Sequence, residues 1–543
     1  MKTNIRRMKS EIRNPKSERN PKFEIRMPTV QSSAPTNDRM RSCGFERSPA
    51  AFRPSVFGLL SDFGFRISDF SIGLLALAVL VPGCMVGPDY KRPSALGTNA
   101  MPPAFTETTV TNLGEWKPAE PSAHLPRGTW WELFGDAELN RLETMATTGN
   151  QELAAALAHF EQARALVNVA RADLFPQVSA ASSFSRQRSS ANSVSGKSST
   201  FNTFSVPLEA GWELDLWGRV RRGVEGARAR LTAAADDLES AKLAIQAEVA
   251  IDYFTLRALD EQYALFQQTI KAYQRSLELT QNRHKSGIAT EYDVSLAETQ
   301  LKSTEAQLPA VDLQRANLRH ALATLCGQPA TSFAIVESKT TPTNAPVIPN
   351  AVPSELLERR PDIASAERRM AAANADVGVA TSAFYPRVML NGLAGFQSID
   401  AGTLFNWPSR VWSVGPSLQL PLFTGGRTRA QLASTRAAYD ATVANYRQTV
   451  LSAFQEVEDQ LAAQRLLAQE FEAENAALKS ARRTLEISNT RYKGGVITYL
   501  EVAIAQSAAL AHEQTVVQLS ARRLSAAVSL IKALGAGWSL DGH

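Results

Sequence analysis

Two stretches of the sequence alternate between apolar and polar residues over ten or more positions. In FSVPLEAGWELDL, residues 204–216, every even position is apolar, and residues 412–422 alternate in the same way. Weaker alternation marks residues 178–184 and 388–396. Because successive side chains of a strand point to opposite faces, the pattern predicts four β-strands of about ten residues, two in each half of the chain.

The length of these strands favours a sheet that lies in a membrane, although any half-buried sheet alternates in this way. A tilted strand of about ten residues is long enough to cross a bilayer. Four strands cannot close a barrel, and a free sheet edge in lipid is very costly, so several copies of the chain would have to contribute strands to one barrel. Glu209, Glu213 and Asp215, between the apolar positions, would then face a wet lumen.

A very long helix is predicted after each pair of strands. Residues 217–284 contain no proline, and at about 1.5 Å per residue they would span roughly 100 Å. Apolar residues recur there at alternating steps of three and four, as in a coiled-coil seam: Leu256, Leu259, Tyr263, Phe266, Ile270, Tyr273 and Leu277. Residues 427–493 repeat the design, and part of their apolar stripe is Val443, Tyr446, Val450, Phe454, Val457 and Leu461. One seam is compatible with an ordinary dimeric coiled coil, but paired helices joined to barrel strands indicate a tube that continues the barrel.

The two halves of the chain repeat each other. RHKSGIATEYDV, residues 283–294, matches RYKGGVITYLEV, residues 491–502, and a Phe-Pro or Tyr-Pro pair follows the first helix of each half, predicted over residues 150–172 in the first. A further helix follows each repeated stretch, at residues 293–326 and 500–534. Each half is therefore predicted as helix, strand, strand, long helix and helix.

This repeat predicts the domain organisation. Residues 130–327 form the first unit and residues 355–536 the second. A connector rich in Pro, Thr and Ser, residues 328–354, joins them, and residues 537–543 are a C-terminal tail.

The N-terminal region is predicted to lie outside the two units. Residues 1–70 are rich in Arg, Asn, Pro and Ser, as in a disordered arm or an over-extended start of the reading frame. Residues 71–83, SIGLLALAVLVPG, have the length of a signal-peptide apolar region and are too short to span a bilayer. They lead into Cys84 as a lipobox does, with a buried cysteine after a core helix as the alternative. Residues 84–129 would be a lipidated linker.

The sequence contains few other candidates for a catalytic, metal-binding or phosphate-binding site. The six histidines are scattered and form no HxxH or HExxH motif. Residues 195–198, SGKS, imitate the end of a P-loop, but Ala191 stands where its first glycine belongs. The net charge of +5 comes largely from residues 1–70, and nothing points to a nucleic-acid partner. We therefore expect neither an enzyme nor a protein that holds a metal or a non-covalent cofactor.

Three motifs carry a resemblance to a known family. They are LLERRPDI at residues 356–363 followed by Ala366-Glu367, CMVGPDYKRP at residues 84–93, and WWELFGDAEL at residues 130–139. With the duplication, the chain resembles the TolC-like outer membrane factors, and specifically their lipidated, NodT-type branch, which is associated with drug and metal efflux. The resemblance covers essentially the whole chain after Cys84.

The first of these motifs also has a local structural interpretation. Proline is suited to the first turn of a helix, where its missing N–H is no loss, and Pro361 is therefore predicted to start one. Asp362 would lie at the positive end of that helix. A structural role is more probable for this motif than contact with a ligand.

The resemblance implies a mainly α-helical protomer with a membrane β-barrel. Three copies would form a twelve-stranded barrel in the outer membrane, continued by a long periplasmic α-helical barrel. Cys84 would carry a diacylglycerol and an acyl chain, and Met85 after it implies the outer membrane. A periplasmic adaptor and an inner-membrane transporter of the resistance-nodulation-division type would be the partners of this passive, gated duct for drugs or metal ions. A duct for type I protein secretion and a non-pore structural coiled-coil lipoprotein are the alternatives.

The repeated stretches would form two hairpin tips at the periplasmic end of the tube. Gly287, Gly494 and Gly495 allow the chain to reverse there. Two plain structural turns are one interpretation, but the tips carry more basic residues than a turn requires. In the family such tips dock the adaptor, which implies a docking role for these residues: Arg283, Lys285, Arg491 and Lys493.

The resemblance also implies that the tips close the tunnel. Asp293, Tyr492 and Glu501 occupy positions of the family's gate, whereas Ile497 stands where a gate arginine is found in family members of known gating. We therefore expect a closed tip held by packing and by hydrogen bonds of Tyr492, with weak ionic locking. In a trimer, Asp293 and Glu501 would form carboxylate rings, which favour cations.

Overall fold

The structure, a computed structural model, describes residues 85–97, 105–106, 128–192, 198–336 and 359–536 of the 543-residue chain. The predicted N-terminal arm, apolar segment, lipidated Cys84 and C-terminal tail lie outside these residues, as does most of the connector.

The first unit follows the predicted order of elements. After a short 3-10 helix at Trp130–Phe134 come α1 (Ala137–Gly149), α2 (Gln151–Ala172), β1 (Gln177–Ala180), β2 (Ser183–Arg188), β3 (Thr200–Leu214), α3 (Arg219–Lys285) and α4 (Glu291–Leu325). The second unit repeats the order with α5 (Pro361–Ser382), β4 (Arg387–Ser398), β5 (Arg410–Gln419), α6 (Arg427–Lys493) and α7 (Tyr499–Ala533).

The strands form one antiparallel sheet in the order β1-β3-β4-β5, with β2 also paired to β3. β1 and β2 keep a single register against β3 and are interrupted beside Pro207, which has no N–H to donate to the ladder. The four predicted strands are therefore present, the first of them in two pieces. The prediction of about ten residues is too short for β3, which has 15.

The alternation sorts side chains onto two faces of this sheet. Even-numbered residues pair with even-numbered residues across all the strands: Leu208 is opposite Ala394, and Ala394 is opposite Trp412. This apolar face is open to solvent in the single chain, with Leu208, Val414 and Leu418 each more than half exposed. A continuous exposed apolar surface of this kind requires a partner other than water.

The three carboxylates expected in a lumen differ in their surroundings. Glu213 lies on the polar face but pairs with Arg219 at 2.7 Å and with Arg387 at 2.6 Å. Asp215 accepts hydrogen bonds from the backbone N–H groups of the first residues of α3 and so stabilises the positive end of that helix. Asp215 is therefore engaged at a helix start, whereas Glu209 is exposed and lines a cavity of about 600 Å³ on the polar face. That these carboxylates face a lumen stays a prediction.

The two long helices are confirmed. α3 and α6 contain 67 residues each, which corresponds to roughly 100 Å. Their predicted seams are buried at Phe266 and Tyr273 in α3 and at Tyr446, Val450 and Val457 in α6. α3 packs against α4, α5 and α7, and α6 packs against α5 and α7, so each long helix belongs to a bundle within one protomer.

The main core lies partway along the long helices. The predicted motif at Trp130–Leu139 folds as a 3-10 helix and the start of α1, and its aromatic rings pack on Phe254 of α3. Tyr253 donates a hydrogen bond of 2.7 Å to Asp136, which caps α1. The ends of α4 and α7 complete this core through four fully buried residues, Leu322, Cys326, Val528 and Ile531.

Residues 85–97 form an extended strap that lies across both units. Its beginning is held at the junction of β3 and α3, where Val86 donates its N–H to the carbonyl of Trp217. Asp89 then pairs with Arg222 of the first unit at 2.8 Å. On the second unit, Arg92 lies 3.4 Å from Glu367 of the RRPDI…AE motif. Two motifs separated by almost 300 residues in the sequence are therefore in direct contact.

The RRPDI motif starts α5, as its proline predicts. Pro361 is the first helical residue and Asp362 lies in the first turn. Arg360 is buried and donates to Asp362 and to Glu456 of α6, both at 2.7 Å, and also to the carbonyl of Ala533 at the end of α7. The motif thus ties three helices together, which supports a structural role.

None of the described helices is both long enough and apolar enough to cross a membrane.

Glu143 of α1 is an unpaired carboxyl group in the main core. It is 0% exposed, and neither carboxyl oxygen has a hydrogen-bond partner among the described residues. Burial raises its pKa from 4.5 to about 9. A raised folded-state pKa means that the group ionises first in the unfolded chain, so its cost to stability grows as the pH rises from about 4.5 towards 9.

We predict that Glu143→Gln removes this pH dependence. Between pH 5 and pH 8, the difference in free energy of unfolding between the variant and wild type should grow in favour of the variant by up to about 4 kcal/mol, because each pH unit in the interval from 4.5 to 9 contributes about 1.4 kcal/mol. Denaturant unfolding followed by helical circular dichroism at both pH values measures the difference, with the exposed Glu161→Gln as the control. Equal pH dependence in wild type and Glu143→Gln would contradict the prediction.

Candidate functional site at the helical tips

The two repeated stretches form helical hairpin tips with the same backbone turn. At the first tip, Ile288 donates its N–H to the carbonyl of Arg283, and at the second, Val496 donates to Arg491. Gly287 and Gly495 both have φ of 73°, a left-handed conformation that other residues adopt only with strain. The predicted reversal is therefore confirmed at two of the three glycines.

Gly494 does not serve the reversal. Its φ is −75°, in the right-handed region that any residue adopts. A Cβ at Gly494 would meet only ordinary van der Waals contacts, the nearest at 3.5 Å. Its counterpart in the first tip is Ser286, so the sequence match already indicates that glycine is not required at this position.

The acids of the two tips have different surroundings. Asp293 is buried and belongs to a capping box: its carboxylate accepts hydrogen bonds from the N–H and the hydroxyl of Thr290, which in turn accepts from the N–H of Asp293. At the second tip, Thr498 starts α7 without a side-chain cap, and Glu501 is exposed. The described part of the chain offers Glu501 no hydrogen-bonding or ionic partner. The carboxylate of Asp293 is therefore occupied within its own helix, whereas that of Glu501 is free.

Tyr492 lies at the contact between the two tips. It is 5% exposed, and its hydroxyl lies 3.1 Å from the hydroxyl of Thr280 on α3. The guanidinium of Arg283 lies over its ring, 4.6 Å from the centroid, and donates to its carbonyl at 2.5 Å. A cation over an aromatic face is stabilised by the ring quadrupole. Arg283, predicted as a docking residue, therefore bridges the two hairpins of one protomer.

Apolar packing completes the contact. The ring of Tyr499 meets that of Tyr492 edge to face at 5.6 Å, and Ile497 packs against the same cluster. Burial raises the pKa of Tyr499 above its usual value, so its hydroxyl remains a neutral donor, and it bonds Gln506. Ile497 is thus part of an apolar cluster in place of an ionic pair.

Sequence reasoning missed Thr280, although a signal for it exists. The seam in α3 steps from Tyr273 to Leu277, and the next step of three reaches Thr280. A hydroxyl group at a seam position must find a partner when buried, and Thr280 is 0% exposed. The polar residue in an otherwise apolar seam marks the contact with the second hairpin.

The other predicted tip residues lie on the surface. Lys285, Arg491 and Lys493 are exposed. Beside them, α3, α6 and α7 enclose a cleft of about 440 Å³ lined by Tyr273, Tyr492 and other residues of these helices. The tips therefore combine a buried contact, a basic rim and an open cleft.

The arrangement at the tips can hold two hairpins together or release them, but it contains no set of groups for bond-making chemistry. In the described residues, no group of three or more His, Cys, Asp or Glu side chains could hold a metal ion. What the geometry offers is a contact whose strength depends on packing, one cation–π pair and a few hydrogen bonds.

Comparisons with known proteins identify the class to which this architecture belongs, the TolC-like outer membrane channels. The sequence model of the outer membrane efflux protein family matches residues 144–328 and 352–536. The chain is 34% identical to outer membrane protein OprJ of Pseudomonas aeruginosa over 476 residues, 87% of this chain and 97% of OprJ. It is 32% identical to the toluene efflux pump outer membrane protein TtgC of Pseudomonas putida over 472 residues, 86% of this chain and 96% of TtgC.

A solved structure agrees in fold over a similar span. The outer membrane channel OprN superimposes with a TM-score of 0.75 at 31% identity, covering 84% of this chain and 100% of OprN. The chain belongs to the outer membrane efflux protein family. It is an outer membrane protein that acts as an efflux duct, in a family of channels and not of enzymes.

The two tip glycines of the second hairpin allow a matched test of the turn. Gly495→Ala places a Cβ in the left-handed region and should destabilise the tip by about 1 kcal/mol. Gly494→Ala needs no change of conformation and should be neutral or stabilising by up to about 1 kcal/mol. Amide hydrogen exchange of the tip, read by mass spectrometry, should be faster only in Gly495→Ala. Equal exchange in both variants would show that the left-handed turn is absent.

Proposed function

We propose that the protein is the outer membrane duct of a tripartite efflux system, built from three copies of the chain. The carrying observation is the sheet: one face is apolar and exposed, and the strand ladder ends at β1 and β2 on one side and at β5 on the other. Backbone groups at such edges cannot be left unpaired in lipid. β1 and β2 are two pieces of one strand, so each copy supplies four strands. Pairing β5 of one copy with β1 and β2 of the next would therefore remove every edge and give a twelve-stranded barrel.

The helices support a continuous tube below that barrel. In each unit the long helix begins within a few residues of a strand, so six long helices would leave a trimeric barrel from the same rim. Their length of roughly 100 Å suits a passage through the periplasm. The duct itself performs no work, and an inner-membrane transporter of the resistance-nodulation-division type would drive export through a periplasmic adaptor.

Lipidation of Cys84 fits the position of the strap. Met85 and Val86 lie against the β3–α3 junction, where the sheet meets the helices. A diacylglycerol and an acyl chain on the preceding residue would therefore start beside the membrane-facing sheet. The salt bridges of Asp89 and Arg92 hold the strap in this position.

The tips are proposed to dock the adaptor and to close the duct. Lys285, Arg491 and Lys493 form a basic rim that suits an adaptor hairpin with acidic side chains. Tyr492, with Asp293 and Glu501, is the proposed gate, and its contacts with Arg283 and Thr280 join the two hairpins of a protomer. Opening would separate these hairpins.

The exported compounds are proposed to be small molecules, drugs or metal ions, selected by the pump. The name of one relative, TtgC, specifies toluene, an apolar solvent. A protein-secretion duct would share the same barrel, so the partner decides between these uses.

Oligomeric state and conductance test the proposal directly. Purified full-length protein should have the mass of three chains by light scattering and should form ion-conducting channels in planar bilayers. A monomeric or dimeric mass, or the absence of current, would overturn it in favour of a non-pore coiled-coil lipoprotein.

We predict that loosening the tip increases conductance. Tyr492→Ala removes the ring under Arg283, and Asp293→Ala removes the carboxylate of the Thr290–Asp293 capping box at the start of α4, each worth about 1 kcal/mol, so the open fraction should rise by about fivefold. Single-channel recording of reconstituted protein measures the effect. Tyr292→Ala, at the exposed residue beside Asp293, is the matched control and should leave the current unchanged. Unchanged conductance in both tip variants would refute the gate assignment.

A further inference from the structure

The polar face of the sheet carries one carboxylate that no neighbouring cation balances. Strand register places the odd-numbered residues on this face, and its charged residues within the five described strands are Glu209, Glu213 and Arg387. Glu213 accepts hydrogen bonds from the guanidinium groups of both Arg219 and Arg387. The side chain of Glu209 is exposed and has neither a hydrogen-bond nor an ionic partner among the described residues. Glutamate is depleted in strands, so the stability of the sheet does not account for its presence.

Glu209 borders the cavity of about 600 Å³ on this face, which lies between the end of α2 and the strands β1, β3, β4 and β5. A volume of this size suits a drug-sized molecule. Gly211, the next residue of β3 on the same face, keeps the cavity open, because a Cβ built on it would meet no atom within 4 Å. The cavity therefore combines empty space with an unpaired negative charge at its border.

The rest of the lining near Glu209 is neutral, and part of it is apolar. In the strand register Glu209 lies between Ser179 of β1 and Leu393 of β4. The side chains of Leu393 and Met389 are half-buried, and the ring of Phe175, at the end of α2, is 67% exposed. A ligand here would meet a carboxylate and a hydroxyl group on one side and apolar surface on the other.

The other charged residues of the cavity are occupied by each other. Arg219 and Arg387 both bond to Glu213, at 2.7 Å and 2.6 Å. Asp173 accepts a hydrogen bond of 3.4 Å from Gln177 and interacts electrostatically with Arg219. Three carboxylates and two guanidinium groups line the cavity, which leaves one negative charge in excess. Glu213 lies four residues further along β3 than Glu209, or roughly 13 Å, so its arginines are distant from the unpaired charge.

We propose that this cavity binds an organic cation with an apolar, aromatic body, and that such cations are among the compounds the duct exports. The inference rests on the proposed function in that the polar face must line the lumen of the duct. The carboxylate of Glu209 would pair with the positive charge, and an aromatic ring such as that of Phe175 attracts a cation to its face. In a trimer the cavity would occur three times around the lumen, and rings of carboxylates favour cations.

A metal ion fits the cavity less well than an organic cation. Calcium takes six to eight oxygen ligands, and magnesium requires an octahedral set. No group of three or more His, Cys, Asp or Glu side chains in the described part of the chain could hold a metal ion. A single carboxylate beside apolar side chains instead matches a ligand with one positive charge and a large apolar surface.

The test measures binding of ethidium, an aromatic cation of fixed charge, by the purified full-length protein in detergent. Fluorescence anisotropy reports the bound fraction, protein-free micelles are the blank, and fluorescein is the comparison probe because it is an aromatic anion. Wild type should bind ethidium and not fluorescein. Since an exposed ion pair is screened by salt, the affinity for ethidium should fall as the NaCl concentration rises from roughly 0.05 M to 0.5 M.

Three variants separate charge from shape. Glu209→Gln should weaken ethidium binding by about fivefold and remove its salt dependence, whereas Glu209→Asp keeps the charge and should retain most of the affinity. Gly211→Leu should also weaken binding, because its side chain would occupy the cavity while Glu209 stays in place. The control Glu161→Gln removes an exposed carboxylate from α2 and should bind like wild type.

Several outcomes would overturn the proposal: no ethidium binding by wild type, unchanged affinity in Glu209→Gln or in Gly211→Leu, an equal loss in Glu161→Gln, or equal binding of fluorescein. Planar-bilayer current and mass by light scattering are measured on the same preparations. A wild-type protein without current or without the mass of three chains would refute the proposed duct. Normal channels that bind no ethidium would refute the cation site alone.

Discussion

Pairing of β3 with β4 is the interaction on which the rest of the structure depends, because it joins the two repeats. The pairing is long, from Phe204 opposite Ser398 to Leu214 opposite Val388, and it places equivalent ends of the two units side by side. Both long helices then leave the sheet in the same direction and reach their tips at the same level. The contact of Arg283 with Tyr492 follows, because two long helices of 67 residues each that start from paired strands end at the same level.

Duplication supplied two tips, and their side chains have since taken different tasks. The backbone turn is the same at Gly287 and Gly495. The first tip contributes the cation of Arg283 and the carboxylate of Asp293, which is held in a capping box, whereas the second contributes the ring of Tyr492 and the exposed acid Glu501. An asymmetric pair of this kind is complementary, which two identical tips would not be. The tip is consequently held by contact between repeats, with an apolar cluster around Ile497 in place of a second ion pair.

The strap explains why two motifs that are far apart in the sequence, at residues 84–93 and 356–367, occur together in this chain. Asp89 holds the first unit through Arg222, and Tyr90 and Arg92 hold Glu367 of the second. Partly buried charges of opposite sign stabilise each other when both are also hydrogen-bonded, and loss of one leaves the other unpaired. The motifs at 84–93 and 356–367 are therefore two sides of one contact, and the strap links the two repeats.

The sequence by itself determined the elements, their order and the faces of the strands, because period-2 and coiled-coil patterns are local and strong. It also located the two tip turns, since glycine is strongly favoured where φ is positive. Tertiary structure alone decided which tip side chains meet, that Thr280 lies against the hydroxyl of Tyr492, and that Arg283 lies over its ring. These contacts depend on the relative rotation and height of two helices of roughly 100 Å, quantities that arise from packing and that no local pattern encodes.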